Sequence, residues 1–270
     1  MRKLKINFLL LVSPFLFWQC TDEADQLDSF TLSGSAIKGP VVEATVIVYP
    51  INEAGERGDV VATTVTDQHG NFKVEVDYMG FVEVVIHEGS YQDEASGQQV
   101  SLEMDELRTI IEVEGDENFG ITALTTIAAE YINENAASGL SIAIENASKE
   151  VADLFGLSGI DINTTIPANL PSITSQNMEM AQIKYGAVQA GLSQLLHNNG
   201  YEPEDLLDLM EDFGKDFADG IIDGKNGSEA LNFILGITPA NAIDGLQNAM
   251  ESFMNGTQNS SGFTLADMGL

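Results

Sequence analysis

The amino-acid sequence predicts an α+β protein with two domains, an antiparallel β-sandwich followed by an all-α helical bundle. From Phe30 onward the apolar residues alternate with a period of two, which is typical of half-buried strands. Beyond residue 120 their spacing becomes that of amphipathic helices. Hydrophobic residues make up 44% of the 270 residues, so most of the chain can contribute to a core. The predicted segments are a signal peptide at 1–20, a tether at 21–29, the sandwich at 30–114, the helical domain at 120–256 and a loose tail at 257–270.

The first twenty residues have the parts of a secretory signal. A basic start at Arg2 and Lys3 precedes an apolar run over 6–18, and a polar stretch follows the junction at Cys20. A membrane-spanning helix needs roughly 20 apolar residues, so this run is too short to span a bilayer. Cys20 is the only cysteine of the chain, and no internal disulfide can form.

This junction resembles that of bacterial lipoproteins, in which the cysteine becomes the lipidated first residue after cleavage. The resemblance implies a lipid on Cys20, attachment to the membrane through that lipid, and a place in the cell envelope. In that family Thr21 after the cysteine favours the outer membrane. The sequence departs from the family at Phe17 and Gln19, where small residues are usual. Cleaved secretion without a lipid and an uncleaved anchor therefore remain as alternatives.

Six strands are predicted for the first domain because β-branched and aromatic residues alternate with polar ones between turn signals. One turn is marked by Gly39 and Pro40, another by Asp67 and Gly70. Short turns between strands of this length favour an antiparallel sandwich. The predicted strands cover 31–38, 44–49, 60–66, 72–76, 81–86 and 107–113.

A distinctive order of residues runs through the first half of this domain. It consists of Gly39, Pro40, Val41, Ala44, Val46, Val48 and Tyr49, followed by Thr66, Asp67, Gly70 and Phe72. This order resembles the carboxypeptidase regulatory-like, transthyretin-like sandwich over about 50 residues. The resemblance implies a non-catalytic module that acts as a spacer, a stalk or a binding accessory. Its signature residues are structural, so the resemblance transfers no functional residue.

Few residues of the first domain are candidates for a catalytic or metal-binding role. Asp93 and Glu94 lie in a polar segment at 90–97 and could bind a hard cation, but a solvated loop is the interpretation that we favour. His69 and His87 have no second histidine or cysteine at a zinc-ligand spacing, so we expect exposed or edge histidines.

Six amphipathic helices are predicted for the second domain, with Thr122 as the N-cap of the first. The small residues Gly186, Ala187, Ala190 and Gly191 predict a close crossing between two helices. The helices are predicted over 123–134, 142–155, 177–198, 204–217, 228–235 and 239–254. The tail beyond residue 256 is rich in Gly, Ser, Asn and Thr, which predicts a loose end.

A glycine-rich acidic loop in the second domain is the candidate metal site. Calcium takes six to eight oxygen ligands, which acidic loops of this kind supply, but the EF-hand spacing is absent. A helix end with an acidic turn accounts for the same residues, so both interpretations remain open. The candidate ligands are Asp216, Asp219, Asp223, Asn226 and Glu229.

The charge of the chain excludes one class of partner. The 42 acidic and 11 basic residues give a net charge of −31, and loss of the leader, which holds three cations, makes it −34. Such a field repels phosphate backbones and argues against nucleic-acid binding.

We therefore expect a non-catalytic, lipid-anchored surface protein that binds an envelope or extracellular protein or glycan, or has a structural role. The sequence has no Gly-x-Ser-x-Gly, His-Glu-x-x-His or phosphate-binding Gly-Lys-Ser/Thr motif, and no cofactor other than calcium is suggested. A small-ligand or calcium-binding lipoprotein is one alternative. A hydrolase that uses carboxylates of the helical domain is another.

Overall fold

The computed structural model describes residues 29–102, 106–173 and 178–270. Within these ranges nine strands precede the helices, and one short two-stranded pair lies between two helices; the predicted mixture of antiparallel sheets and helices is confirmed. Cys20 and the whole leader lie outside the described residues, as does the predicted helix start at Asn177.

Two sheets form the β region, which we define as residues 29–122. The sheet with the strand order β3-β2-β5-β8 is antiparallel throughout, and the second sheet has the order β4-β1-β9. A separate hairpin pairs β6 with β7. The strands are β1 (Phe30–Ile37), β2 (Thr45–Pro50), β3 (Ala62–Val65), β4 (Asn71–Val76), β5 (Gly80–His87), β6 (Ser90–Gln92), β7 (Gln99–Ser101), β8 (Glu106–Val113) and β9 (Glu117–Thr122).

Strand β9 corrects the predicted end of the β region at residue 114. It pairs with β1 in parallel, with Gly34 opposite Phe119 and Ile37 opposite Thr122. The pairing brings together residues that are 85 positions apart, which no local pattern indicates. The segment expected to link two domains is therefore part of a sheet.

The alternating apolar residues of both sheets meet in one hydrophobic core. Leu32 and Phe72 come from one sheet and Val46 and Val84 from the other, and all four are buried. Phe72 packs edge-on against Phe119, with ring centroids 5.6 Å apart. Gly34 lies beneath this pair, since a Cβ there would come within 2.4 Å of the Phe119 carbonyl oxygen.

The helical region, residues 123–270, begins directly after β9. The predicted N-cap is confirmed: the Thr122 hydroxyl accepts a hydrogen bond from Thr125 N at 3.1 Å, and the Thr125 hydroxyl accepts one from Thr122 N at 2.8 Å. The helices are α1 (Ala123–Asn135), α2 (Leu140–Leu154), α3 (Met180–Asn198), α4 (Asp205–Phe217), α5 (Pro239–Met254) and α6 (Leu265–Met268).

The central part of helix α3, residues 183–196, is mostly buried and crosses its neighbours closely. A Cβ on Gly191 would lie 2.4 Å from Cγ of Met250 in α5, and one on Gly186 would lie 2.2 Å from the carbonyl oxygen of Ala168. The close helix crossing predicted from the small residues of this segment is confirmed.

The β and helical regions share a second core. Ile51, which follows β2, and Ile110 of β8 belong to the same buried cluster as Ile127 of α1 and Leu192 of α3. Helix α1 also hydrogen-bonds to the backbone of Arg108 in β8, through the hydroxyls of Thr125 and Thr126. The packing is continuous, so the predicted division into two domains is not confirmed.

The prediction of a helix over 228–235 is wrong. The segment contains the short strand β11 (Glu229–Ala230), paired with β10 (Lys225–Asn226), and continues without helix. The buried Asp212 of α4 accepts hydrogen bonds from the backbone of Ile234 at 2.9 and 3.0 Å and of Leu235 at 3.2 Å. The backbone N–H groups of Ile234 and Leu235 therefore donate to a side chain and not to the carbonyl oxygens of a preceding helical turn.

The tail at 257–270 is not loose, contrary to the prediction. Although the tail is polar in composition, it contains the apolar residues Phe263, Leu265, Met268 and Leu270. These residues pack in the same cluster as Ala187 and Phe253. Met268 in α6 is only 2% exposed, and Ser260 N donates to the carbonyl oxygen of Leu170 at 3.1 Å. Burial of this apolar side outweighs the flexibility that the composition suggests.

Candidate functional site

The acidic loop predicted as a metal site is organised around Asp216. This residue lies in the last turn of α4 and is 1% exposed. Its Oδ1 atom accepts hydrogen bonds from the backbone N of Asp223 at 3.1 Å, Gly224 at 2.7 Å and Lys225 at 3.2 Å. Its Oδ2 atom is buried without a hydrogen-bond partner among the described residues. One carboxylate oxygen thus holds the loop, and the other would favour a cation.

The remaining predicted ligands are spread over the loop. Asp219 accepts hydrogen bonds from Ile221 N at 3.1 Å and Gly227 N at 2.8 Å, while Asp223 is exposed beside Lys225. Asn226 and Glu229 face each other in the pairing of β10 with β11. No group of three His, Cys, Asp or Glu side chains converges as a metal site in the described part of the chain. Calcium binding here stays a prediction.

Sequence reasoning missed a second site, which we call the Lys38 cluster: Lys38, Asp93, Glu94 and Ser193. Lys38 follows β1 and is 1% exposed. Its Nζ atom contacts Glu94 Oε2 and Ser193 Oγ, lies 3.6 Å from Asp93 Oδ2 and is 5.3 Å from the centre of the Tyr91 ring. The cluster joins the end of β1 and the β6–β7 hairpin to the centre of α3.

Both acids of the cluster accept hydrogen bonds from nearby backbone and hydroxyl groups. Glu94 accepts from Gly39 N at 2.9 Å through Oε1 and from the Ser193 hydroxyl at 2.8 Å through Oε2. Asp93 Oδ1 accepts from the backbone N and the hydroxyl of Ser96, each at 2.7 Å. Burial raises the pKa of Asp93, but the Lys38 charge and the Ser96 hydrogen bonds outweigh it, so the pKa lies below its usual value.

The expectation of a solvated loop at 90–97 is therefore wrong for its acidic residues. Asp93 is 2% exposed and Glu94 is 4% exposed. Two carboxylates face a single ammonium group, so the cluster carries one uncompensated negative charge if all three groups are ionised. Its members are far apart in the sequence, and the one local signal was the pair of adjacent acids.

A third site, which we call the arginine cluster, lies where the four-stranded sheet meets α1 and is made of Arg57, Glu83, Arg108, Glu106 and Glu130. Glu83 is 1% exposed and accepts from Arg57 Nε at 2.6 Å and Arg108 Nη1 at 3.1 Å. Arg57 also pairs with Glu106 at 2.9 Å, and Arg108 pairs with Glu130 of α1. Burial lowers the pKa of Arg57, but Glu83 and Glu106 hold it above its usual value.

Two open grooves lie where strands and helices meet. One of about 370 Å³ runs beside the arginine cluster and is also lined by Leu207, Met210 and Glu211 of α4. The other, of about 730 Å³, is mostly apolar and lies between Phe81 and the α1–α2 corner at Leu140 and Ile142. Ile142 is 57% exposed, which leaves an apolar surface in contact with water.

No helix in the described ranges has the length and hydropathy needed to cross a membrane.

Comparison with known proteins gives no family. No family model matches the chain, and no curated protein matches it. A candidate carbohydrate-binding protein from Pseudomonas aeruginosa is 15% identical and covers 36% of this chain and 90% of its own, with a TM-score of 0.26. A 9R-lipoxygenase from Cyanothece is 15% identical and covers 49% of this chain but 27% of its own, with a TM-score of 0.25. At these TM-scores neither similarity carries an argument.

Proposed function

We propose that the protein is a non-catalytic component of the bacterial cell envelope, exported and held at the outer membrane by a lipid on Cys20. In this proposal the β region is a carboxypeptidase regulatory-like sandwich and works with the helical region as a binding or structural unit. The observation that carries the proposal is the position of the single cysteine, at the end of a short apolar leader and just before a polar segment.

The place where the chain enters the β region supports an anchor at one end of the sheets. Phe30 pairs with Val76, five residues before Phe81, which lines the apolar groove. Eight residues lie between Cys20 and Ser29, and an extended chain of this length joins the two positions over at most about 32 Å. A lipid on Cys20 would keep this end near the membrane and leave the turns around Gly39 and Gly70 at the far end.

The two open grooves offer surface for the binding role that we propose for the folded part. Both grooves are open, and the arginine cluster uses its charges to connect β8 and β5 with α1. The strong negative charge of the chain would favour a neutral or cationic partner, such as a glycan or a basic protein surface.

Replacement of the cysteine tests the anchor. We expect Cys20→Ser to move the protein from the detergent phase to the aqueous phase after Triton X-114 extraction of whole cells. Thr21→Ser is the matched control and should remain in the detergent phase, because it leaves the cysteine in place. A native N-terminus at another residue, without acyl chains in the mass spectrum, would refute the proposal.

A further inference from the structure

The Lys38 cluster places an amine against a carboxyl group in a site from which water is excluded. Lys38, Asp93, Glu94 and Ser193 are each at most 4% exposed. Taking one ammonium and two carboxylates out of water is unfavourable, and one cation cannot neutralise both anions. A reaction that removes two of these charges would therefore be favoured in this environment.

The arrangement has the parts that formation of an amide requires. Lys38 Nζ contacts Glu94 Oε2 and is thereby held next to the Glu94 carboxyl carbon. Gly39 N donates to the other oxygen, Oε1, at 2.9 Å, where negative charge would develop during attack. Asp93 Oδ2 lies 3.6 Å from Nζ and can take a proton from the ammonium. The Ser193 hydroxyl lies 2.8 Å from Oε2, the oxygen that would leave.

We propose that Lys38 and Glu94 condense to form an intramolecular amide, an isopeptide bond between the end of β1 and the β6–β7 hairpin. The ammonium gives one proton to Asp93, and the neutral Nζ attacks Cδ of Glu94. The Cδ–Oε2 bond then breaks. Oε2 leaves as water with two of the three ammonium protons, one returned by Asp93 and one passed through the Ser193 hydroxyl. The third proton stays on the amide nitrogen, and Asp93 ends ionised as it began.

This bond would close a long covalent loop at the end of the sheets farthest from Ser29. Such a link limits the freedom of the unfolded chain, as a disulfide does, in a protein whose single cysteine cannot supply one. The inference goes beyond the proposed function and does not depend on the lipid anchor.

Peptide mapping of the purified full-length protein tests the bond directly. Trypsin normally cleaves after Lys38, Arg57, Lys73 and Arg108. We expect Lys38 to resist cleavage and the fragment that ends at Arg57 to remain joined to fragment 74–108, with a combined mass lower by one water. Tandem mass spectra should place the bond between Lys38 and Glu94.

Three variants control the assignment. Lys38→Met and Asp93→Asn should each release the two fragments at their full masses, the first because it removes the amine and the second because it removes the base. Lys184→Met, a partly buried lysine of α3 outside the cluster, should keep them joined. Complete cleavage after Lys38 in the wild-type protein would overturn the proposal and leave an ordinary buried ion pair. A bond located on Asp93 instead of Glu94 would overturn the assigned roles of the two acids.

Discussion

The Lys38 cluster and the arginine cluster both connect strands to helices, but they differ in their access to water. In the Lys38 cluster all four side chains are nearly inaccessible, and the ammonium group faces more negative charge than it can neutralise. In the arginine cluster only Glu83 is almost inaccessible to water, while the side chains of its outer acids Glu106 and Glu130 are 40% and 34% exposed.

This difference indicates two kinds of electrostatic connection. At the arginine cluster a buried carboxylate is compensated by two guanidinium groups, and the outer pairs are weakened by solvent. At the Lys38 cluster no solvent screens the charges, so each member depends on its partners. The Lys38 cluster has two ion pairs and the arginine cluster has four, but burial and not the number of pairs should decide the effect on stability.

We expect the largest effect from Glu94→Ala. The change leaves Lys38 buried with Asp93 at 3.6 Å and removes the acceptor of both Gly39 N and the Ser193 hydroxyl. A buried donor left without an acceptor costs about 1–3 kcal/mol, so the loss of both acceptors, together with the loss of the proposed Lys38–Glu94 link, should lower the free energy of unfolding by at least about 2 kcal/mol. Urea unfolding followed by circular dichroism measures the loss. A loss of stability no larger than that of Glu130→Ala would contradict the claim that the Lys38 cluster depends more strongly on its partners than the arginine cluster does.

A smaller effect is expected from Glu130→Ala in the arginine cluster. The side chain of Glu130 is 34% exposed, and Arg108 keeps Glu83 at 3.1 Å after the change. A pair of this kind contributes about 0.2–1 kcal/mol to the free energy of unfolding. The same urea titration applies, and a loss above that range would show that this cluster is as tightly coupled as the Lys38 cluster.

The smallest effect is expected at Asp67, in the exposed turn between β3 and β4. Backbone hydrogen bonds from Asn71 and His69 lower the pKa of Asp67 below its usual value. A lowered folded-state pKa stabilises the fold above the unfolded pKa of about 3.9, and this contribution is lost as the pH falls through the folded value. Asp67→Asn should therefore cost less than about 1 kcal/mol at neutral pH.

The pH dependence of that difference is the decisive measurement. Unfolding free energies of the wild type and Asp67→Asn should converge as the pH is lowered below about 4. A difference that is independent of pH would mean that the turn depends on the shape of the side chain and not on its charge.

Local features of the sequence predicted much of the fold. The capping residue Thr122 and the full extent of α5 follow from the chain itself, because caps, proline positions and apolar spacing act within one or two turns. The predicted acidic loop was also placed correctly at the end of α4. Its hydrogen-bonding pattern was not predictable, because the N–H groups of Gly224 and Lys225 reach Asp216 only after the loop folds back.

The sequence by itself determined the change from a strand-rich first part to a helix-rich second part, the strong negative charge and the single cysteine, because periodicity and composition are properties of the chain alone. Only the tertiary structure decided which residues meet. The parallel pairing of β1 with β9 and the contact of Lys38 with Glu94 and Ser193 join positions that are 56 to 155 residues apart. Such contacts depend on how whole faces pack, because a polar residue is buried only when distant partners satisfy its hydrogen bonds and charge.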